Sequence, residues 1–468
     1  MMSLRSLWLA ACMVFSPLAF ATDFDALDKY VQSELERAHM PGGALVVVDR
    51  TGIVHLQGFG VSGPSGARPG PDTMFQIGSN AKSLTALAIM QQVEAGKLQL
   101  DAPLQRYLPW FRVADASASA QITLRHLLNQ TSGLPHSEGE QDFAATDDGD
   151  GVLERLVRQL ADVKLASPPG QRWAYSNINF VVLGCVLEAV SGERYADYLQ
   201  RHVFTPLGMG HSVASERFPP GAEVATGHRY WFGRPVAADG LPFPPVLAPA
   251  GYVYSSARDM GGYLRAHLGR SAVLGVAGLD ELHRKGANTG QRYGYAMGWA
   301  TDSELPAVLT HEGGTPGYTS AMGINVEQGW GYALLLNGSD IMTGGLVTDL
   351  GPQIAKFMSG QQPSPRPASR ALAPAVAMLC ALLAIQVMVA LVMLHFRRWL
   401  GRVAFAAAGI AGVALAGGLL LVVPARQQIS LSGILLFAPD AGWLLVANAV
   451  LALAGAAAAI LSIRAGRA

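Results

Sequence analysis

Apolar residues recur along the first part of this chain with two different periods. Phe24, Leu27, Val31 and Leu35 fall on one side of a helix drawn from Asp23 to His39, the pattern of an amphipathic helix facing a core. Gly43–Val48 and Ile53–Gly58 are short apolar runs on either side of Asp49-Arg50-Thr51-Gly52, which predicts a hairpin. Leu84, Leu87, Ala88 and Val93 return to helical spacing and predict a helix ending near Ala95-Gly96. Further helices are predicted at Ile122–Leu128 with Thr123 as cap, Ile178–Val190, Tyr195–Phe204, and from Ala257 to about Leu268 with Ser256 as cap. Then the texture changes. Tyr293–Ala300, Ala307–His311, Tyr318–Val326 and Gly331–Asn337 are strand-length runs between turn residues, followed by a closing helix at Gly344–Met358. Strands at both ends with helices between them predict one α+β domain, an antiparallel sheet carrying a helical insertion.

The last quarter has another composition. Pro374–Leu394, Val403–Val423 and Ala441–Ile463 are uncharged apolar runs, each of at least 21 residues and long enough to cross a bilayer. The loop His395-Phe396-Arg397-Arg398-Trp399-Leu400-Gly401-Arg402 and the tail Arg464–Arg467 are basic, which assigns both to the cytoplasmic side. Leu431–Phe437 is too short to span and is expected at the outer interface. At the other end, Arg5 precedes an apolar run from Leu7 to Phe15, and Ala19-Phe20-Ala21 offers small residues for cleavage, the layout of a signal peptide. Leu9-Ala10-Ala11-Cys12 reads poorly as a lipoprotein box, because the run continues past Cys12. The expected organisation is a signal peptide at 1–21, a periplasmic domain at 22–360, a proline-bearing linker at 361–370, and a membrane domain at 371–468 with spans 374–394, 403–423 and 441–463. That places the chain in a bacterial inner membrane with its C-terminus in the cytoplasm.

The formal charges balance, with 34 basic and 34 acidic residues, and no basic stripe interleaves with aromatics, so nucleic acid is not an expected partner. Cys12, Cys185 and Cys380 leave one cysteine in the exported part. Cys185 lies on an apolar helix face and reads as a buried small hydrophobe. The 11 histidines include no H-E-x-x-H and no cysteine–histidine cluster, so neither a metal nor another cofactor is expected.

The candidate chemistry starts at Phe75-Gln76-Ile77-Gly78-Ser79-Asn80-Ala81-Lys82, at the head of the predicted second helix. Ser79 sits near unpaired helix N–H groups, and Lys82, three residues on, hangs over the same face. A serine with an amine one turn away is the layout of an activated nucleophile, although a plain N-cap followed by a solvated lysine has the same spacing. Tyr175-Ser176-Asn177 lies at a break before a helix. A tyrosine becomes a general base when cations lower its pKa from about 10, and an asparagine offers both a donor and an acceptor to a substrate amide. His311-Glu312-Gly313-Gly314-Thr315-Pro316-Gly317 is expected to end a strand and turn, with glycines that let a substrate approach. Glu138–Asp150 is acidic and reads as a solvated loop, with a substrate lid as the alternative.

In this order, the three motifs resemble those of the serine β-lactamase and penicillin-binding-protein family, whose general pattern is S-x-x-K, S-D-N and K-T-G. The closer resemblance is to its class C-like branch, carried also by Leu124–Leu128, Thr131–Pro135, Pro206–Met209 and Gly313–Tyr318, over about Phe24 to Met358. The resemblance implies a helical subdomain packed on an antiparallel sheet flanked by helices, with a cleft between them. It makes Ser79 the nucleophile, Tyr175 the base with Lys82 sharing its proton network, and Asn177 the group holding the substrate amide. The N–H groups of Ser79 and Gly314 become the oxyanion hole. His311 stands where the third motif has a lysine. A histidine near neutral pH is mostly uncharged, so the demand for a substrate carboxylate is weaker. The implied function is a membrane-anchored periplasmic serine hydrolase working through an acyl-enzyme on amide or ester bonds of a small-molecule or peptide-like substrate. A D-amino-acid peptidase, including the prodrug-activating kind that also carries three spans, is the finer version. The alternative is a penicillin-binding sensor that acylates slowly without turnover.

Overall fold

The computed structural model describes residues 24–141, 143–269, 271–290, 293–302, 304–339, 346–363, 373–396 and 399–465. The expected signal peptide, most of the linker and Arg397-Arg398 lie outside these residues. Helix α1 (Phe24–Arg37) leads into the hairpin β1 (Gly42–Asp49) and β2 (Ile53–Gly60), closed where the Asp49 carboxylate accepts from the N–H groups of Thr51 and Gly52. The remaining strands of the main sheet come after the helical region: β3 (Ala287–Asn288), β4 (Tyr293–Ala296), β5 (Trp299–Asp302), β6 (Leu309–Thr315), β7 (Tyr318–Asn325) and β8 (Trp330–Leu336). Their order across the eight-stranded sheet is β2-β1-β8-β7-β6-β5-β4-β3, antiparallel throughout. The N-terminal hairpin therefore joins the C-terminal meander through β1 and β8, which closes the two ends of the domain on each other.

Alternation along β1 shows why the sheet is covered on both faces. Ala44, Val46 and Val48 point into the larger core, with the helices of the insertion, while Leu45 and Val47 point into a second core. That second core is built by Leu27, Val31 and Leu35 of α1 and by Leu350 and Ile354 of α5 (Leu346–Met358). Helix α4 (Ala257–His267) packs on the opposite face, where Gly261 lets it approach Val46 and Val48. Within the insertion, α2 (Ala81–Glu94) and α3 (Asn177–Ser191) are buried nearly all round. Cys185 is part of that core and its thiol is pushed up to about 12 by burial.

Two sequence expectations change. Tyr293–Ala300 is not one strand: it turns at Met297-Gly298 into the pair β4 and β5, because Gly298 adopts φ +85°, a conformation glycine takes without strain. His311 does not end a strand either. It lies inside β6, and the chain turns only at Pro316-Gly317, since β7 pairs along the whole motif from Leu309 to Thr315.

Among the described residues three helices are long and apolar enough to cross a membrane, Pro374–His395, Arg402–Gln427 and Pro439–Ile463. We label the helical elements α6 (Ala373–His395), α7 (Arg402–Gly417, continued to Gln427 through a π-helical turn), α8 (Leu431–Phe437) and α9 (Pro439–Ala465). Small residues bring α7 and α9 together, and a Cβ on Gly412 would lie 2.5 Å from the Ala452 carbonyl oxygen. Asn448 joins α9 to α6, accepting from Gln386 at 2.7 Å and donating to the Leu379 carbonyl at 3.1 Å.

Candidate active site

Ser79 occupies a single 3₁₀ turn, Gly78–Asn80, between a short strand at Met74–Gln76 and α2. The turn is fastened to the sheet from beneath. Asn80 donates to Ser320 Oγ at 2.7 Å, and Ser320 Oγ donates to the Ile77 carbonyl at 2.7 Å. Two glycines make the approach possible. Gly78 has φ +51°, and a Cβ there would meet Gly314 N at 2.2 Å; a Cβ on Gly313 would meet the Ile77 oxygen at 2.0 Å. The backbones of Ser79 and Gly314 are therefore neighbours across this contact.

Lys82, in the first turn of α2, has no solvent exposure. Its Nζ donates to Ser79 Oγ at 2.9 Å, Asn177 Oδ1 at 2.7 Å and the Ala250 carbonyl at 2.6 Å. Burial lowers its pKa to about 7, against the pull of the Glu140 carboxylate. Tyr175 reaches Ser79 from the other side, hydroxyl to hydroxyl at 2.8 Å, and its ring lies 4.8 Å under the lysine nitrogen. The Tyr175 backbone is held by a buried polar network. Ser176 donates to the Pro135 carbonyl at 2.7 Å, Gln130 accepts from Ser176 N at 3.0 Å, and the Tyr175 carbonyl accepts from His136 Nδ1 at 2.9 Å. Asn177 opens α3 with its side chain facing Lys82.

The structure thus brings Lys82 and Tyr175 onto the Ser79 oxygen, although Ser79 and Tyr175 are 96 residues apart. Asn177 stands one hydrogen bond further out on Lys82, and the Gly314 backbone lies against the Ser79 turn. His311 lies in β6 beside them but is turned into the protein. Its Nδ1 donates to the Glu312 carbonyl at 2.7 Å, and its Nε2 is 3.2 Å from the Tyr295 hydroxyl. Burial, with help from the Lys82 charge, pushes its pKa down to about 3, so the ring is neutral throughout the physiological range.

Glu140 is the group that sequence reasoning missed. It belongs to the stretch read as a solvated loop, yet it is 8% exposed and accepts from Asn177 Nδ2 at 2.7 Å. Burial raises its pKa to about 7, opposed by Lys82 and by the Asn177 bond. Its position a few residues past the Gly133-Leu134-Pro135 break was the only available signal, and no periodicity marks it.

A hydroxyl contacted by a buried amine and a phenol, beside two adjacent backbone segments of a helix start and a sheet strand, has the equipment of a serine hydrolase that forms an acyl-enzyme. The chain belongs to the β-lactamase family, whose profile matches residues 27–348; the three long apolar helices fall outside that match. Penicillin-binding protein 4 of Amycolatopsis lactamdurans is 32% identical over 345 residues, which cover 69% of this chain and 87% of that protein. Protein flp of Staphylococcus aureus (strain MW2) is 26% identical over 332 residues, 70% of this chain. The match spans 66% of the length of that relative. The octameric penicillin-binding protein homologue from Pyrococcus abyssi has the same fold, with a TM-score of 0.63 at 25% identity over 73% of this chain and 78% of its own. The expected α+β architecture, antiparallel sheet with helical subdomain, is the one observed.

Proposed function

We propose that this protein is an exported, membrane-anchored serine hydrolase that opens amide or ester bonds through an acyl-enzyme on Ser79. The observation that carries the reading is the meeting of Tyr175 and Lys82 at Ser79 Oγ, at 2.8 and 2.9 Å. In the acylation step the Ser79 oxygen attacks the substrate carbonyl carbon while its proton passes to the Tyr175–Lys82 pair. The tetrahedral oxygen is received by the N–H groups of Ser79 and Gly314, and the leaving amine or alcohol takes the proton as the C–N or C–O bond breaks. Water then repeats the sequence and releases the acid. Asn177 orients the acyl part.

The substrate class follows from His311. A neutral ring already engaged with Tyr295 and Glu312 gives a substrate carboxylate no cation at that position. The reading therefore favours esters and acylated amines, including D-amino-acid amides, over substrates that end in a carboxylate. Anchoring is supported by the three apolar helices, with the catalytic domain in the periplasm and the C-terminus in the cytoplasm according to the basic loop after the first of them.

The test is covalent labelling of membranes with a fluorescent phosphonate, beside Ser79→Ala, followed by turnover assays on acyl-D-amino amides, simple esters and a cephalosporin. Equal labelling of both proteins removes Ser79 as nucleophile. One burst of product per protein without later turnover replaces the hydrolase by the slowly acylating sensor. Reporter fusions after Gly360 and at the C-terminus test the topology.

A further inference from the structure

The loop between the second and third apolar helices does not stand apart from the catalytic domain. Ser430 meets the Glu140 carbonyl oxygen with both its N–H, at 3.5 Å, and its Oγ, at 3.3 Å. Phe437, at the end of α8, packs edge-on against Phe143 with ring centroids 5.0 Å apart, and is itself part of the main core of the catalytic domain, with Ile429 and Leu436 packed beside it. Two further bonds hold the same segment. The Phe232 N–H donates to Asp440 Oδ2 at 3.0 Å, and Arg229 donates to the Leu435 carbonyl at 3.5 Å.

The residues it grips lead straight to the nucleophile. Glu140 follows a 3₁₀ turn (His136–Gly139) pressed so closely on the start of α3 that a Cβ on Gly139 would lie 2.7 Å from Asn177 N. From Glu140 the path runs through the Asn177 amide to Lys82, 2.7 Å at each step, and from Lys82 to Ser79 at 2.9 Å. The amide is oriented by its two ends, carboxylate on the NH₂ and ammonium on the oxygen. Asn177 cannot turn toward a substrate in any other way while both partners stay in place.

We infer that Glu140 is a positioning residue of the hydrolase, orienting Asn177 and Lys82, and that the segment Gln428–Asp440 between the second and third apolar helices holds Glu140 there. The membrane domain then completes the active site as well as anchoring it. This rests on Ser79 being the nucleophile. The titratable groups facing Glu140 are Lys82 from α2, His136 at 3.8 Å on its own turn, and the Tyr252 hydroxyl; Gln428–Asp440 adds the Ser430 hydroxyl and N–H. Removing the carboxylate charge takes away what favours the Lys82 ammonium, so Lys82 loses its proton at lower pH.

The experiment uses the full chain in detergent micelles and reads the rate of Ser79 phosphonylation from pH 5 to 9. Glu140→Gln keeps a hydrogen-bond acceptor for Asn177 and removes the charge. Its rate midpoint is expected about half a pH unit or more below that of the unmodified protein. Phe437→Ala, which frees the segment from Phe143, is expected to shift the profile and lower the plateau, and the double variant is expected to add little to either single change. If Phe437→Ala does not fold, Ser430→Ala takes its place in the same cycle. A Glu140→Gln profile that superimposes on the unmodified one overturns the role of Glu140. Effects that simply add in the double variant overturn the coupling to the membrane segment. Labelling that persists in Ser79→Ala instead defeats the hydrolase reading itself.

Discussion

The Lys82 ammonium nitrogen lies 2.9 Å from Ser79 Oγ with none of the lysine exposed to water. An ammonium without solvent is costly, and the protein answers by lowering the pKa to about 7. Below that value Lys82 carries a proton it cannot exchange for that of the serine; above it, the nitrogen can receive one. The acylation rate is therefore expected to rise as pH increases through about 7, Lys82 and Glu140 titrating as a pair in the same range. A phosphonylation rate that is flat between pH 6 and 8 contradicts this.

Lys82→Met and Tyr175→Phe each remove one partner of the Ser79 oxygen while keeping most of the volume. Each is expected to lower kcat by about 10² to 10⁴, the range of general acid–base catalysis, with a much smaller change in KM. Steady-state kinetics on the best ester substrate decide it. A variant that loses only substrate affinity points to a packing role.

Gly313→Ala places a Cβ 2.0 Å from the Ile77 carbonyl. The strand and the Gly78–Asn80 turn must separate, which moves Gly314 N relative to Ser79 N. A loss of about 10² in kcat is expected from the disturbed oxyanion site, together with about 1–3 kcal/mol of stability. Denaturant unfolding and kinetics on the same sample separate the two effects.

His311→Lys puts a cation where the neutral ring now sits. The ratio of kcat/KM for a carboxylate-terminated D-amino peptide to that for the matching amide is expected to rise by about tenfold, the scale of one charge-assisted hydrogen bond. An unchanged ratio means that position 311 does not select the end of the substrate.

Within the apolar helices, Asn448→Leu leaves Gln386 without its partner. About 1 kcal/mol of helix association is expected to be lost, seen as a lower midpoint for unfolding of the full chain in detergent.

Much of this molecule is legible along the chain because its signals are local. The 3.6-residue period of α1 and α4, the caps at Thr123 and Ser256, the apolar runs of the last quarter and the Ser79–Lys82 spacing all act over a few residues. The Tyr175 motif was readable as well, since a break before a helix marks it. Other features depend on residues far apart in sequence. Glu140 looks like any acidic loop residue until Asn177 and Ser430 close over it, 37 and 290 residues away. His311 loses its charge because β6 is buried in the sheet beside Lys82, not because of its neighbours in the chain. The sequence by itself determined the long helices, most of the sheet-forming runs and the Ser79–Lys82 spacing, whereas tertiary structure decided which charged side chains lose their water. Burial, which depends on every packed neighbour at once, sets the charges of Lys82, Glu140 and His311 and so the chemistry they can perform.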